Sequence, residues 1–286
     1  MNNLMKNMKL IVFDLDGTVL SKKTGEVSHR TIQSLEDAGN RGAVLVAATG
    51  RATALIPESI RKIRGLHWLI SSNGACVSEN SENPGAKVLF QDEMNIELVL
   101  SVLELAGGYG SAFNLYCQEG IVMEGKSLGI YDGAQRQTQR GRQWVGFLRR
   151  HAIVVPSASA FLKGSGYRVE KFSCLQDGSL DWNPLCKRLQ KVKGIEAVLA
   201  SRFEIEITNQ NTNKGSGLAK LEKTLGIERE DVLVFGDSRN DISMKGASGY
   251  FVAVRDAEQD VFQYVDFIAA SSNQDGVASF LENYYR

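Results

Sequence analysis

The chain is short of cysteine, histidine, net charge and long apolar runs, and each shortage excludes something. Its four cysteines, Cys76, Cys117, Cys174 and Cys186, include no C-x-x-C pair, which fits a reduced compartment better than a disulfide framework. The three histidines, His29, His67 and His151, match no metal or triad pattern and read as structural. Lys and Arg number 33, Asp and Glu also 33, so no global charge draws the chain to nucleic acid or to a membrane surface. No segment offers roughly 18 uninterrupted apolar residues, and MNNLMKNMKL lacks the apolar stretch of a signal peptide. A cytoplasmic protein with no membrane and no nucleic-acid partner is expected. GGYG at 107–110 lacks dinucleotide-loop spacing, and no internal repeat or low-complexity segment is present.

What the chain does hold is an alternation. Residues 9–13 (KLIVF) are a short run of β-formers, and Ser28 is placed to cap a helix to about Gly39, with Ile32 and Leu35 on one face. A strand at 43–48 (AVLVAA), a helix from Thr53 to about Arg64 and a strand at 67–71 (HWLIS) follow. This order predicts a parallel sheet with helices on both faces. After residue 78 the rhythm changes. SAFNLYC (111–117) and IVMEG (121–125) flank a Gln-Glu-Gly turn, and YRVEKFSCL and FEIEIT alternate as half-buried antiparallel strands do. From Lys214 the first rhythm returns: a helix, a strand at 232–235, a helix near 240–247, a strand at 250–254 and closing helices. The expected organisation is an α/β core, 1–78 and 204–286, interrupted by an α+β insertion at 79–203.

The first strand ends oddly, because VFDLDGTVL (12–20) carries two like charges, Asp14 and Asp16, to its own tip. Open parallel sheets bind ligands outside the carboxyl ends of their strands. Polar residues gather at those ends: Asp14 and Asp16, then Thr49, then Ser72 and Asn73, then Asp237. Two carboxylates about 4 Å apart repel by roughly 4 kcal/mol at an effective dielectric near 20. Such a cluster requires protonation or a cation, and Mg²⁺, which takes oxygen ligands and commonly sits between carboxylates and a substrate phosphate, is the economical choice. Taken alone, D-x-D-G-T is also an ordinary polar turn. An EF-hand calcium loop fits less well, since the third acidic position, closing glutamate and flanking helices are missing.

DLDGT at 14–18, ATGR at 48–51, the lysine of NKGSGLAKL at 214 and GDSRND at 236–241, with SNGA at 72–75, together resemble the haloacid-dehalogenase-like phosphohydrolases. The resemblance is to the Cof-type branch, subfamily IIB, with its large cap, and it covers nearly the whole chain. It implies a Rossmann-like, doubly wound parallel sheet with an inserted α+β cap, and a Mg²⁺-dependent phosphatase acting on a small phosphorylated metabolite, a sugar phosphate in particular. Asp14 would be the nucleophile that forms an aspartyl-phosphate and Asp16 the acid and base. Thr49 and Lys214 would serve the transferred phosphoryl group. Asp14, the Asp16 main-chain carbonyl and Asp237 would hold the metal. Thr18, Gly50, Arg51, Asn73, Gly74 and Asn240 would bind substrate, and Asp241 would support the site, orienting its members together with Asn240. Plainer roles stand beside these. Thr18 and Thr49 suit turns, Asn73-Gly74 is a favoured two-residue hairpin turn, and Lys214 is a possible solvated first-turn lysine, although a cation is unfavourable at a helix N-terminus. Arg239 and Arg255-Asp256 depart from the family pattern, which touches substrate contacts rather than chemistry.

No acidic residue lies between Gly133 and Val169, where Arg136, Arg140, Arg142, Arg149, Arg150, Lys163 and Arg168 supply seven basic ones. The stretch reads as a solvated helix face or as a site for a second anionic group on the substrate. Alternatives to the phosphatase are a phosphomutase, a sucrose-phosphate or mannosyl-phosphoglycerate type phosphatase, and a catalytically silent phosphometabolite-binding protein. The intact set of Asp14, Asp16, Lys214 and Asp237 argues against the last.

Overall fold

Side chains alternate across a strand, and β1 (Leu10–Asp14) accordingly sends Leu10 and Val12 into one apolar cluster and Ile11 and Phe13 into another. The computed structural model describes residues 8–81, 87–135, 138–179, 181–201 and 203–285. It divides into two units, Met1–Gly50 with Ile56–Phe90 and Asn213–Arg286, and Arg51–Leu55 with Gln91–Thr212.

The first unit opens with β1, α1 (His29–Asn40), β2 (Val44–Ala48), α2 (Glu58–Arg61), β3 (Leu66–Ser71), β4 (Cys76–Glu79) and β5 (Val88–Gln91). The second contains α3 (Ile96–Gly107), β6 (Ala112–Cys117), β7 (Gly120–Glu124), α4 (Gly125–Gln135), α5 (Gln139–His151), β8 (Ile153–Val155), α6 (Ala158–Ser165), β9 (Val169–Leu175), α7 (Asn183–Leu189), β10 (Ile195–Ser201) and β11 (Glu204–Asn209). The first unit resumes with α8 (Lys214–Leu225), β12 (Val232–Gly236), β13 (Tyr250–Val254), β14 (Phe267–Ala269) and α9 (Gly276–Tyr284).

The core sheet has the order β14-β13-β12-β1-β2-β3-β4-β5. It is parallel from β14 to β3, and β4 then runs antiparallel to β3. The chain leaves β1 toward β2 on one side and returns as β12 on the other. The carboxyl ends of β1 and β12 therefore flank the switch point at which doubly wound sheets bind ligands. Leu35 of α1 and Phe280 and Leu281 of α9 pack with Ile11, Phe13 and Phe235; Leu218 and Leu221 of α8 pack on the opposite face with Leu10, Val12 and Val234. Each such side chain, fully buried, contributes about 1.5–3 kcal/mol.

Ser28 caps α1 by accepting from Thr31 N, as read. The helix expected from Thr53 to Arg64 is reduced to a turn at Thr53–Leu55 and the single turn of α2. Pro57 stands between them, and it lacks the N–H that a helix interior needs. The helix expected near 240–247 is a tight 3₁₀ winding over Arg239–Ala247. The change of unit falls at Gln91 and Thr212 rather than at 79 and 203, because β4 and β5 extend the core sheet instead of opening the insertion.

In the second unit the sheet order is β10-β11-β9-β6-β7-β8, antiparallel except between β7 and β8. Val102, Leu162 and Leu185 of α3, α6 and α7 cover Phe113, Leu115 and Phe172 on one face. Tyr131 of α4 and Leu148 of α5 pack with Tyr116, Ile121 and Met123. The expected half-buried alternation holds in β11, where Ile205 and Ile207 are buried between half-buried Glu204, Glu206 and Asn209; in β6 and β9 it is one of polarity only, since both are buried throughout. Lys171 illustrates it, with Nζ 2.5 Å from Glu206 Oε1 and 4.1 Å from the centre of the Tyr116 ring. Of the basic stretch, Arg142, Arg149, Arg150, Lys163 and Arg168 are exposed. Arg149 pairs with Asp132, and Arg168 with Glu93 at 2.8 Å, as a solvated face does. Arg136 and the side chain of Arg140 lie outside the described residues. Among the described residues no helix is long and apolar enough to cross a membrane.

Candidate active site

The alternation that places Leu10 and Val12 on the α8 side of the sheet places Asp14 there too, at the end of β1. Its counterpart is the first residue of α8. Lys214, wholly buried, sets Nζ 2.6 Å from Asp14 Oδ1 and 2.6 Å from Asp241 Oδ1. A buried ammonium is tolerated only when paired in this way. Asn213 caps the helix by accepting from Ser216 N at 3.0 Å, which fixes the turn that carries Lys214.

Asp237 follows β12, the parallel neighbour of β1. Asp241 Oδ2 accepts from the main-chain N–H groups of Asp237 at 2.9 Å and Ser238 at 3.0 Å. Asp241 thus ties Lys214 to the Asp237 loop. Thr18 Oγ1 donates to Asp237 Oδ1 at 3.3 Å, so the structure engages this expected substrate contact with a carboxylate of the site itself. Lys22 Nζ lies 2.8 Å from Asp237 Oδ2.

Burial pushes the Asp14 carboxyl well above the usual range; Lys214 pulls it back, and Asp241 and Asp237 raise it further. Burial and then Asp241 raise Asp237 to about 6 against the pull of Lys22. Burial works against the Lys214 ammonium, but Asp14 and Asp241 outweigh it and hold its pKa above the ordinary lysine value.

One oxygen from each of Asp14, Asp237 and Asp241 lies within 4.8 Å of the others. Both Asp241 oxygens are engaged, by Lys214 and by main-chain N–H groups, and the Asp237 oxygens are met by the side chains of Thr18 and Lys22. Asp14 Oδ2 is buried without a hydrogen-bond partner, an arrangement that is costly unless the carboxyl is protonated or a cation meets it. The open oxygen of the Asp14 carboxylate, with the Asp237 carboxylate close to that of Asp14, fits a hard divalent ion such as Mg²⁺.

The SNGA stretch closes the β3–β4 hairpin with four residues, because Ser71 pairs with Cys76; the two-residue turn that is the plainer reading of Asn73-Gly74 is not formed. Ser72, Asn73 and Gly74 all have positive φ, at 49°, 55° and 92°, a rare left-handed run. A Cβ on Gly74 would stand 2.1 Å from Asn213 O, so only glycine lets the hairpin tip reach the start of α8. Asn73 N donates to Thr49 O at 3.1 Å, and Asn240 Nδ2 to Asn73 Oδ1 at 3.2 Å. Thr49, Asn73, Gly74 and Asn240 are thereby joined at the strand ends. Gly50 follows Thr49 and is half-buried; Asp16 is also half-buried, in a bridge with Leu20.

Arg51 is grouped with the second unit. Its guanidinium lies 4.6 Å from the centre of the Trp144 ring and donates to Leu55 O at 3.2 Å. Arg239 pairs with Asp260 at 2.6 Å. Sequence reasoning missed Lys22, because no motif or period distinguishes it from Lys23 beside it.

The haloacid dehalogenase-like hydrolase family model matches residues 11–281. Phosphatase YwpJ of Bacillus subtilis is 24% identical over 291 residues, 96% of this chain and 99% of that protein. The protein of the same organism named 5-amino-6-(5-phospho-D-ribitylamino)uracil phosphatase YwtE is 24% identical over 286 residues, 96% of this chain and 97% of that one. The solved structure of the subclass IIB sugar phosphatase BT4131 has a TM-score of 0.78 at 22% identity, covering 96% of this chain and 98% of that chain.

Proposed function

The chain belongs to the haloacid dehalogenase-like hydrolases and is a phosphatase of that family; from that premise we propose that it hydrolyses monoesters of small phosphorylated metabolites, sugar phosphates foremost, with Mg²⁺ and through an aspartyl-phosphate on Asp14. The observation that carries this is the state of the Asp14 carboxylate. One oxygen is held by Lys214 at 2.6 Å, the other is buried and unpartnered, and the carboxylate stands close to that of Asp237.

In the first step an Asp14 oxygen attacks phosphorus, the bond from phosphorus to the ester oxygen breaks, and Asp16 protonates the departing alkoxide. In the second step Asp16 takes a proton from water, the water oxygen attacks phosphorus, and Asp14 is released with free phosphate. Lys214 holds Asp14 in place and offsets charge on the transferred group, while the Thr49 hydroxyl donates to its oxygens. Asn73, Gly74 and Asn240 form the rim that seats the phosphate. Mg²⁺ would rest on Asp14, Asp237 and the main-chain carbonyl of Asp16, and when bound it neutralises charge that develops on the phosphoryl oxygens. Asp241 keeps Lys214 and the Asp237 loop in register. The names of YwtE, a phosphatase of a phosphorylated ribityl compound, and BT4131, a sugar phosphatase, support a polyhydroxylated substrate.

A phosphate-release screen over about a hundred metabolites with Mg²⁺, repeated with a chelator, tests the proposal. Turnover confined to the Mg²⁺ arm and concentrated among sugar and polyol phosphates is expected. Failure on para-nitrophenyl phosphate and on the whole panel overturns it in favour of a phosphometabolite-binding protein. Rearranged ester without free phosphate indicates a phosphomutase.

A further inference from the structure

The loop after β1 ends in a contact that the proposed mechanism does not use. Lys22 reaches back over Gly17 to Asp237 Oδ2 at 2.8 Å, and its ammonium also donates to the main-chain carbonyl of Asp256. Gly17 has φ +98°, and a Cβ there would stand 2.5 Å from Asp237 Oδ2 and 2.7 Å from Lys22 Cε. Any larger residue would obstruct the contact, and most would also be strained.

The loop is anchored on its main chain as well. Lys22 N donates to Ser272 Oγ at 3.4 Å, and Ser272 donates from N and Oγ to the Asp256 carboxylate at 2.8 and 2.7 Å. Ser21 Oγ and Lys23 N both reach Asn273 Oδ1, at 2.7 and 2.9 Å. Lys22 is therefore held at its backbone and at its ammonium, and its side chain is 31% exposed. This is a built contact rather than one pose of a mobile surface lysine.

The charges give the contact a consequence. When ionised, Asp14, Asp237 and Asp241 carry three negative charges, and Lys214 answers two of the three carboxylates. Lys22 answers the third. Resting on the reading of Asp237 as a metal ligand, we propose that Lys22 is a positioning residue that holds the Asp237 carboxylate and sets a reduced affinity of the site for its divalent cation. A cation arriving at Asp237 meets a like charge already on Oδ2, and it must share that oxygen or displace the ammonium; either costs binding free energy in a buried site. The metal-free protein gains a defined Asp237 in exchange.

The test is direct Mg²⁺ titration by calorimetry on the full chain without substrate, with Mn²⁺ binding followed by electron paramagnetic resonance as a second readout. Lys22→Gln is expected to bind Mg²⁺ about tenfold tighter or more than the unaltered protein. Lys22→Arg, which keeps a cation, and Lys23→Gln, which removes an equal charge nearby, are expected to stay within about twofold. Should the Gln variant not fold, Lys22→Ala takes its place. Unchanged or weaker binding by Lys22→Gln, equal tightening by Lys23→Gln, or no metal binding by the unaltered protein would each overturn the proposal. Because the readout is binding, a protein that shows the shift but hydrolyses no ester overturns the phosphatase substrate reading and leaves this one standing.

Discussion

Lys214 Nζ stands 2.6 Å from Asp14 Oδ1 although 200 positions separate the two residues. The pair is wholly enclosed, and Asp241 receives the same ammonium at 2.6 Å. This ammonium answers two of the site's three carboxylates.

Asp14→Asn tests the nucleophile. The amide oxygen still accepts from Lys214, so the fold is retained while the attacking carboxylate is lost. Phosphate release is expected to fall at least about 10³-fold, with far- and near-ultraviolet circular dichroism unchanged. Turnover within about tenfold of the unaltered protein would remove Asp14 from the chemistry.

Lys214→Met leaves Asp14 and Asp241 buried without their shared counter-charge. Breaking a buried ion pair from one side costs about 3–5 kcal/mol, so the urea midpoint is expected to fall sharply. Added Mg²⁺ should restore part of the loss by answering Asp14, one of the two carboxylates, which a denaturation series with and without the ion measures.

Gly74→Ala introduces a Cβ at 2.1 Å from Asn213 O on a residue with φ +92°. The collision is with main chain, which does not yield as a flexible side chain does. A loss of about 2 kcal/mol or more is expected in denaturant titration, together with a lower kcat, because Asn213 caps the turn that carries Lys214.

Glu222 supplies a pH dependence away from the active site. Burial raises its carboxyl to about 7 from 4.5, with Arg229 opposing and Glu230 adding to the rise, and its Oε1 is unpartnered. The folded state therefore holds a proton that the unfolded state releases, and stability falls as pH rises from about 4.5 through about 7. Glu222→Gln should gain about 1 kcal/mol at pH 8.5, allowing for the partial exposure of the group, and nothing at pH 4. Thermal melts across that range check the sign; a gain that is equal at both ends would refute the assignment.

The elements with strong periodicity were legible. KLIVF, AVLVAA, HWLIS, VLVF and YFVAV each form a strand of the core sheet. Where sequence reading failed, a competing local cause prevailed. Pro57 interrupted one expected helix, and the four-residue hairpin at Ser72–Ala75 replaced a two-residue turn because its tip must approach Asn213. Strands β6 and β9 alternate in polarity without alternating in exposure, since packing on the second face is a tertiary event. Lys22 was invisible for the same reason.

Strand tips, caps and a metal-suited carboxylate pair are local properties, encoded by alternation, by Asn213 and Ser28 ahead of their helices, and by Asp14 and Asp237 at the ends of apolar runs. Which of those charges meet is not local. Parallel pairing of β1 with β12 set Asp14 beside Asp237, the packing of α8 buried Lys214 between Asp14 and Asp241, and the loop anchored at Ser272 and Asn273 turned Lys22 onto Asp237. Contact between charges depends on distance in space, and only the closed sheet defines that distance.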